Sequence, residues 1–110
     1  MPAESDQSAV DTSSSNMLIP DGLGLVYIDP ASLLLSKQIT FPPNPSDQQR
    51  VRIILGGAIT TGTVITTLTL VPNTGQSIVG TNGNLVLLTL GPGSIAFIYR
   101  KLNDKWYRLQ

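Results

Sequence analysis

Asn82-Gly83-Asn84-Leu85-Val86-Leu87-Leu88-Thr89-Leu90-Gly91-Pro92-Gly93-Ser94-Ile95-Ala96-Phe97-Ile98-Tyr99-Arg100 holds two short apolar runs, each preceded by a glycine-containing turn. The runs are too short for helices and are rich in branched and aromatic side chains, so they read as strands. Asn82-Gly83 is the strongest hairpin signal in the chain, because both residues tolerate positive φ. The first run does not alternate, and in the second Ile95, Phe97 and Tyr99 oppose Ala96 and Ile98. Read as a hairpin, this pair of strands is apolar on both faces, and something has to cover the second one.

Outward from this stretch the same pattern repeats. Strands are expected at 24–28, 37–41, 50–55, 63–71, 76–79, 84–90, 94–100 and 105–109, separated by Pro42-Pro43-Asn44-Pro45, Gly56-Gly57, Asn73-Thr74-Gly75, Gly91-Pro92-Gly93 and Asn103-Asp104. Arg50-Val51-Arg52-Ile53 alternates cleanly, which turns both arginines to solvent and the two aliphatics to a core. Ala31 to Ser36 is the one stretch expected to make a helical turn, with Asp29 as its cap and Pro30 at the first position. About eight short strands with no helix of crossover length imply an all-β fold, an antiparallel β-sandwich or jelly-roll-like barrel.

The sandwich domain is expected over residues 23–110, behind an extended and flexible acidic N-terminal arm over residues 1–22. From Met1 to Asn16 the chain is Ser-rich, and Val10 is its only branched aliphatic, so it buries too little to offset the entropy of ordering. Residues 1–36 carry five acids and no bases, whereas residues 37–110 carry all seven Lys and Arg against Asp47 and Asp104, or +5. An arm of one sign on a body of the other can seek a basic surface, a neighbouring copy included; it can equally be an acidic tail with no partner. Met17, Leu18 and Ile19 form an apolar patch that either anchors the arm to a partner or begins the core.

With 13% charged residues against roughly 25% in an average soluble chain, the surface is poorly protected against association. A homo-oligomer is therefore expected, with Leu85, Leu87, Ile95 and Phe97 as interface residues. The other cover for that face is an early strand or the Leu33-Leu34-Leu35 run. Thr60, Thr61, Thr63, Thr66, Thr67 and Thr69 fit a half-exposed sheet face.

The chain has no Cys and no His, which removes thiolate and imidazole chemistry and the commonest zinc ligands. No motif pairs two carboxylates, Lys37, Lys101 and Lys105 lie in exposed contexts, and Gly56 to Thr63 lacks the Gly-Lys-Ser/Thr ending of a phosphate loop. No catalytic site, cofactor or metal is expected, and the chain is not expected to be an enzyme. Arg100, Lys101, Lys105 and Arg108 surround Tyr99, Trp106 and Tyr107. These aromatics offer a possible glycan platform or, more blandly, a polar rim over a core aromatic; with a pI near 6.0 no nucleic-acid partner is expected. No run approaches ~20 apolar residues, so no membrane partner is expected either.

Ile39-Thr40-Phe41-Pro42, Asn44-Pro45-Ser46-Asp47 before Gln49-Arg50-Val51, Leu68-Thr69-Leu70, Gly75-Gln76-Ser77-Ile78-Val79-Gly80, the Ser94-to-Tyr99 run and Trp106-Tyr107 together cover about two thirds of the chain. In combination they resemble a β-domain of bacteriophage structural proteins, found in tail fibres and tailspikes and in head-decoration and head-fibre proteins. Such domains tend to carry Gly after the Asp of the first turn, where this chain has Gln48. The resemblance implies a homotrimeric virion component, assembled in the host cytoplasm, without cofactor. A single small domain with a free arm fits a decoration or cement protein that binds the major capsid protein and stabilises the head. The alternative is a tail-fibre or receptor-binding module that recognises cell-surface glycan.

Overall fold

The computed structural model describes residues 8–11, 16–30, 33–56 and 63–109. Ten strands form among them, β1 (Ser8–Asp11), β2 (Met17–Leu18), β3 (Leu25–Ile28), β4 (Leu34–Thr40), β5 (Arg50–Leu55), β6 (Ile65–Val71), β7 (Ser77–Ile78), β8 (Leu85–Leu90), β9 (Gly93–Arg100) and β10 (Lys105–Arg108). They make an all-β sandwich of two sheets. Sheet I runs β1-β3-β5-β9-β10-β7 and sheet II runs β2-β4-β6-β8. Each of the eight expected strand spans overlaps one of β3 to β10, six containing it whole, while β4 and β9 begin before their expected spans at Leu34 and Gly93.

The pairing differs from the antiparallel expectation. β1, β3 and β5 are parallel, as are β2, β4 and β6, and β10 pairs β7 in parallel; only β5–β9, β9–β10 and β6–β8 are antiparallel. Parallel neighbours need a long return path, usually a helix. Here the return path is a strand of the opposite sheet: the chain alternates between the sheets, and from β1 to β7 successive strands in one sheet run the same way, until β8 and β9 reverse direction. Absence of helices therefore did not exclude parallel pairing.

The segment expected as a flexible arm supplies two of these strands. β1 lies in register with β3, Ser8 opposite Leu25, and the Asp29 N–H donates to the Asp11 carbonyl at 2.9 Å. β2 lies against β4, and the Ile19 N–H donates to the Thr40 carbonyl at 2.9 Å. Backbone hydrogen bonding to an open sheet edge asks for little apolar content, which is why the composition of these residues concealed them. Leu34 to Ser36, expected in a helical turn, begin β4 instead, while Ala31 and Ser32 lie outside the described residues.

Rows of side chains across sheet II show how the core is built. Lys37, Leu68 and Leu87 stand in one inward row, and Ile39, Leu70 and Leu85 in another. Leu34, Ile65 and Leu90 form a third, yet its residue parity is opposite. The phase changes at the level of Leu35, Thr66 and Thr89, which the ladder skips in all three strands and which all face solvent. Thr89 has φ 54°, a left-handed conformation that is a true outlier for a β-branched residue. Against these rows sheet I packs Val26, Ile28, Val51, Ile53, Leu55, Ile95 and Phe97. At one end Phe41 stacks on Trp106 with ring centroids 4.5 Å apart and meets Phe97 edge-on at 5.2 Å.

Lys37 occupies an apolar position in that scheme. It is 2% exposed, and its Nζ donates to Asp11 Oδ2 at 2.7 Å, tying sheet II to the edge strand of sheet I. The expectation of an exposed lysine is thus corrected: its long stem places the ammonium at the sandwich edge, where β1 supplies a carboxylate.

Candidate functional site

The β9–β10 hairpin places its side chains by simple alternation. Tyr99, Trp106 and Ile78 share one cross-strand row and point inward; Ile98 and Tyr107 share the next and point outward, in line with Arg50 of β5. Trp106 is fully buried, and its Nε1 donates to Gln76 Oε1 at 2.8 Å. Gln76 Nε2 donates in turn to the Pro42 carbonyl at 2.8 Å, so the amide binds the 73–76 turn, the 42–45 turn and the indole together. Tyr99 is 4% exposed and its hydroxyl donates to Asp104. Burial, then the hydrogen bond and charge of Asp104, push the Tyr99 phenol up to about 12.

Outside this hairpin lies an open groove of about 780 Å³, lined by Asp47, Gln48, Ile98, Tyr99, Arg100, Lys101, Leu102 and Tyr107. The Lys101 N–H donates to Asp47 Oδ1 at 2.9 Å, fastening the hairpin tip to the 46–49 turn. In that turn Gln48 takes φ 62°, with its N–H on the Tyr99 carbonyl at 2.8 Å. The turn thus has the left-handed geometry for which glycine is the unstrained choice, and glutamine adopts it here. Asn103 Nδ2 donates to the Tyr107 hydroxyl at 2.9 Å. Hydrogen bonds from Asn103 and then Arg100, with the positive charges of Arg100 and Lys105, draw the Tyr107 phenol below its ordinary range.

Two cations, Arg100 and Lys101, line this groove. Six of the seven Lys and Arg lie on β5, β9, β10 or the turn joining the last two; the seventh is Lys37. Arg100 and Lys105 stand directly opposite each other across β9 and β10.

The outer face of sheet II has a different chemistry. Leu18, Leu35, Val86 and Leu88 are 57%, 75%, 52% and 67% exposed, interleaved with Thr66, Thr67 and Thr69. Thr60 and Thr61 lie outside the described residues. β8 forms the free edge of this sheet.

These placements sort the residues singled out from the sequence. Ile19 is a core residue, Met17 is half-buried against the core, and only Leu18 of that patch is exposed. Ile95 and Phe97 are buried, and Leu85 and Leu87 pack on the core. Gly91 and Pro92 carry the chain from sheet II to sheet I, so β8 and β9 do not form the expected hairpin and these four residues turn toward the core between the sheets. The exposed residues of β8 are those of the other phase, Val86 and Leu88. Of the glycan platform, Trp106 is inside, Tyr99 is buried but borders the groove, and Tyr107, half-exposed, lines it. The groove residues Gln48, Ile98 and Leu102 carry no sequence signal of their own, although strict alternation from an inward Trp106 separates Tyr107 from Tyr99. Among the described residues no group of three or more Asp or Glu is placed to hold a metal.

No protein-family model matches the chain, and no curated protein matches it.

Proposed function

We propose that the chain is a non-enzymatic structural protein of a bacteriophage virion, a decoration protein that sits as a homo-oligomer, a trimer, on the major capsid protein and stabilises the head. The observation that carries this reading is the aliphatic outer face of sheet II, where Leu18, Leu35, Val86 and Leu88 stand exposed on a β-sandwich with few charges. Four large aliphatic side chains exposed on one sheet face, among threonines and with no Lys, Arg, Asp or Glu between them, favour association. The free edge of β8 adds unpaired backbone groups beside it.

Two measurements test the reading. Light scattering of the wild-type chain and of Leu88→Lys and Leu35→Lys gives the oligomeric state; an oligomer that the charged variants break up is expected, and a monomer at every concentration refutes it. Heating phage particles with and without the protein gives the second. Equal rupture temperatures, or no stoichiometric presence on the head, refute the decoration role while leaving association itself standing.

A further inference from the structure

We propose that the groove over the β9–β10 hairpin is a docking site for an extended acidic peptide, whose carboxylates meet Arg100, Lys101 and Lys105 while an apolar side chain rests on Ile98, Leu102 and Tyr107. The groove lies on sheet I, away from the aliphatic face of sheet II, and does not depend on what that face does.

Three observations converge on an anionic occupant. Arg100 and Lys105 are like charges directly opposite each other in an antiparallel pair, an arrangement that costs stability unless something negative lies between or above them. Lys101 adds a third cation at the hairpin tip, against Asp47, one of whose carboxylate oxygens already accepts the Lys101 N–H. The Tyr107 oxygen accepts from Asn103 Nδ2 at 2.9 Å, which leaves its own hydrogen to be donated. Arg100, Lys101 and the Tyr107 phenol therefore share one groove, with Lys105 opposite Arg100 on the neighbouring strand.

The floor decides between classes of polyanion. Ile98, Leu102 and Tyr107 make it apolar, and Leu102 is 82% exposed at the tip. An acidic sugar would turn hydroxyls toward Ile98 and Leu102, aliphatic side chains that a peptide's apolar residue covers without giving up hydrogen bonds to water. Nucleic acid calls for a long basic track, whereas these cations cluster at one hairpin of a chain with net charge +0. A peptide with an aliphatic or aromatic side chain between carboxylates satisfies both the floor and the rim. Gln48 supports the same reading: it holds a left-handed conformation that glycine would take without strain, and its side chain lines the groove.

The test titrates the full chain with synthetic peptides of about eight residues, extended to roughly 26 Å, that carry Asp and Glu around one Leu or Phe. The same peptides with Asn and Gln, a uronate oligosaccharide and a single-stranded oligonucleotide serve as comparisons. Acidic peptides are expected to bind and their amide counterparts to bind about tenfold or more weakly, with weakening of similar size for Arg100→Gln and Lys101→Gln. Tyr107→Phe keeps the ring and removes the donor, and should weaken binding by a smaller factor. These side chains are surface-exposed or at the groove wall, and an unchanged melting midpoint certifies each variant as folded. Equal binding of acidic and amide peptides, no binding of either, indifference to Arg100→Gln and Lys101→Gln together, or equal affinity for the sugar or oligonucleotide through the same residues overturns the proposal.

Discussion

Removing the carboxylate of Asp11 should be far more damaging than removing the ammonium it neutralises. Lys37 has its side chain fully inside the sandwich, 2.7 Å from Asp11, whose own side chain keeps 18% of its exposure. Asp11→Ala takes away the carboxylate that lies 2.7 Å from this buried ammonium, at a cost of about 3–5 kcal/mol. Against the roughly 5–15 kcal/mol that holds a small domain together, that is a third of the total or more. Lys37→Met instead fills the row beside Leu68 and Leu87 with an apolar chain of similar length. The partly exposed Asp11 then keeps access to water, and the change should lie within about 1 kcal/mol of neutral. The double variant should recover most of what Asp11→Ala loses, with a coupling energy of about 3 kcal/mol. Urea unfolding followed by fluorescence of Trp106, the one tryptophan and fully buried, measures all four corners of the cycle. Amide exchange at Asp29, whose N–H donates to the Asp11 carbonyl, reports whether β1 has left the sheet edge. Asp11→Ala within about 1 kcal/mol of wild type, or Lys37→Met as costly as Asp11→Ala, refutes the reasoning that a desolvated ammonium dominates.

Gln48→Gly should raise stability by about 0.5–1 kcal/mol in urea unfolding, the roughly 1–2 kcal/mol relieved at φ 62° exceeding the roughly 0.5–1 kcal/mol of added chain entropy. Phenolate absorbance across a pH titration should show Tyr107 ionising ahead of its ordinary range and Tyr99 last, near 12; Tyr107→Phe removes the first step and Tyr99→Phe the last. Because the Tyr99 pKa is raised in the folded chain, its contribution is whole below pH about 10 and is lost as pH climbs to about 12, by roughly 2–3 kcal/mol, and Tyr99→Phe should flatten stability over that window. Gln76→Leu orphans the Trp106 indole N–H and the Pro42 carbonyl and should cost about 2–4 kcal/mol by thermal or urea unfolding, since two buried groups lose their partner.

Local features of this fold were legible because turns and short apolar runs are written in adjacent residues. Arg50 to Leu55 falls on β5 with both ends in place, and the Asn73-Thr74-Gly75 and Asn103-Asp104 turns bound β7 and β10. Pairing was not legible, because nothing local distinguishes a strand that turns back on its neighbour from one that crosses to another sheet. Leu85 to Leu90 illustrates the consequence. Its residues are apolar in both phases, so only its pairing with β6 decides that Leu85 and Leu87 go inward and Val86 and Leu88 outward. Leu85, Leu87, Ile95 and Phe97, expected on one hairpin, instead belong to two sheets and meet across the core. Lys37 was hidden for a related reason: a lysine between Ser36 and Gln38 gives no sign that a carboxylate 26 residues earlier will meet it inside.

The alternating path of the chain also explains why the two outer faces differ so sharply. Because successive strands fall in opposite sheets, composition that changes along the chain is dealt out between them instead of being averaged. The threonine-rich run enters β6 and the aliphatic run enters β8, both in sheet II. The arginines of β5 and the basic hairpin of β9 and β10 fall together in sheet I, although some 45 residues separate them. One surface is thereby left apolar and nearly uncharged, and the opposite one is cationic around a groove. The self-association and the acidic-peptide docking proposed above would use opposite sheets, so neither contact need displace the other.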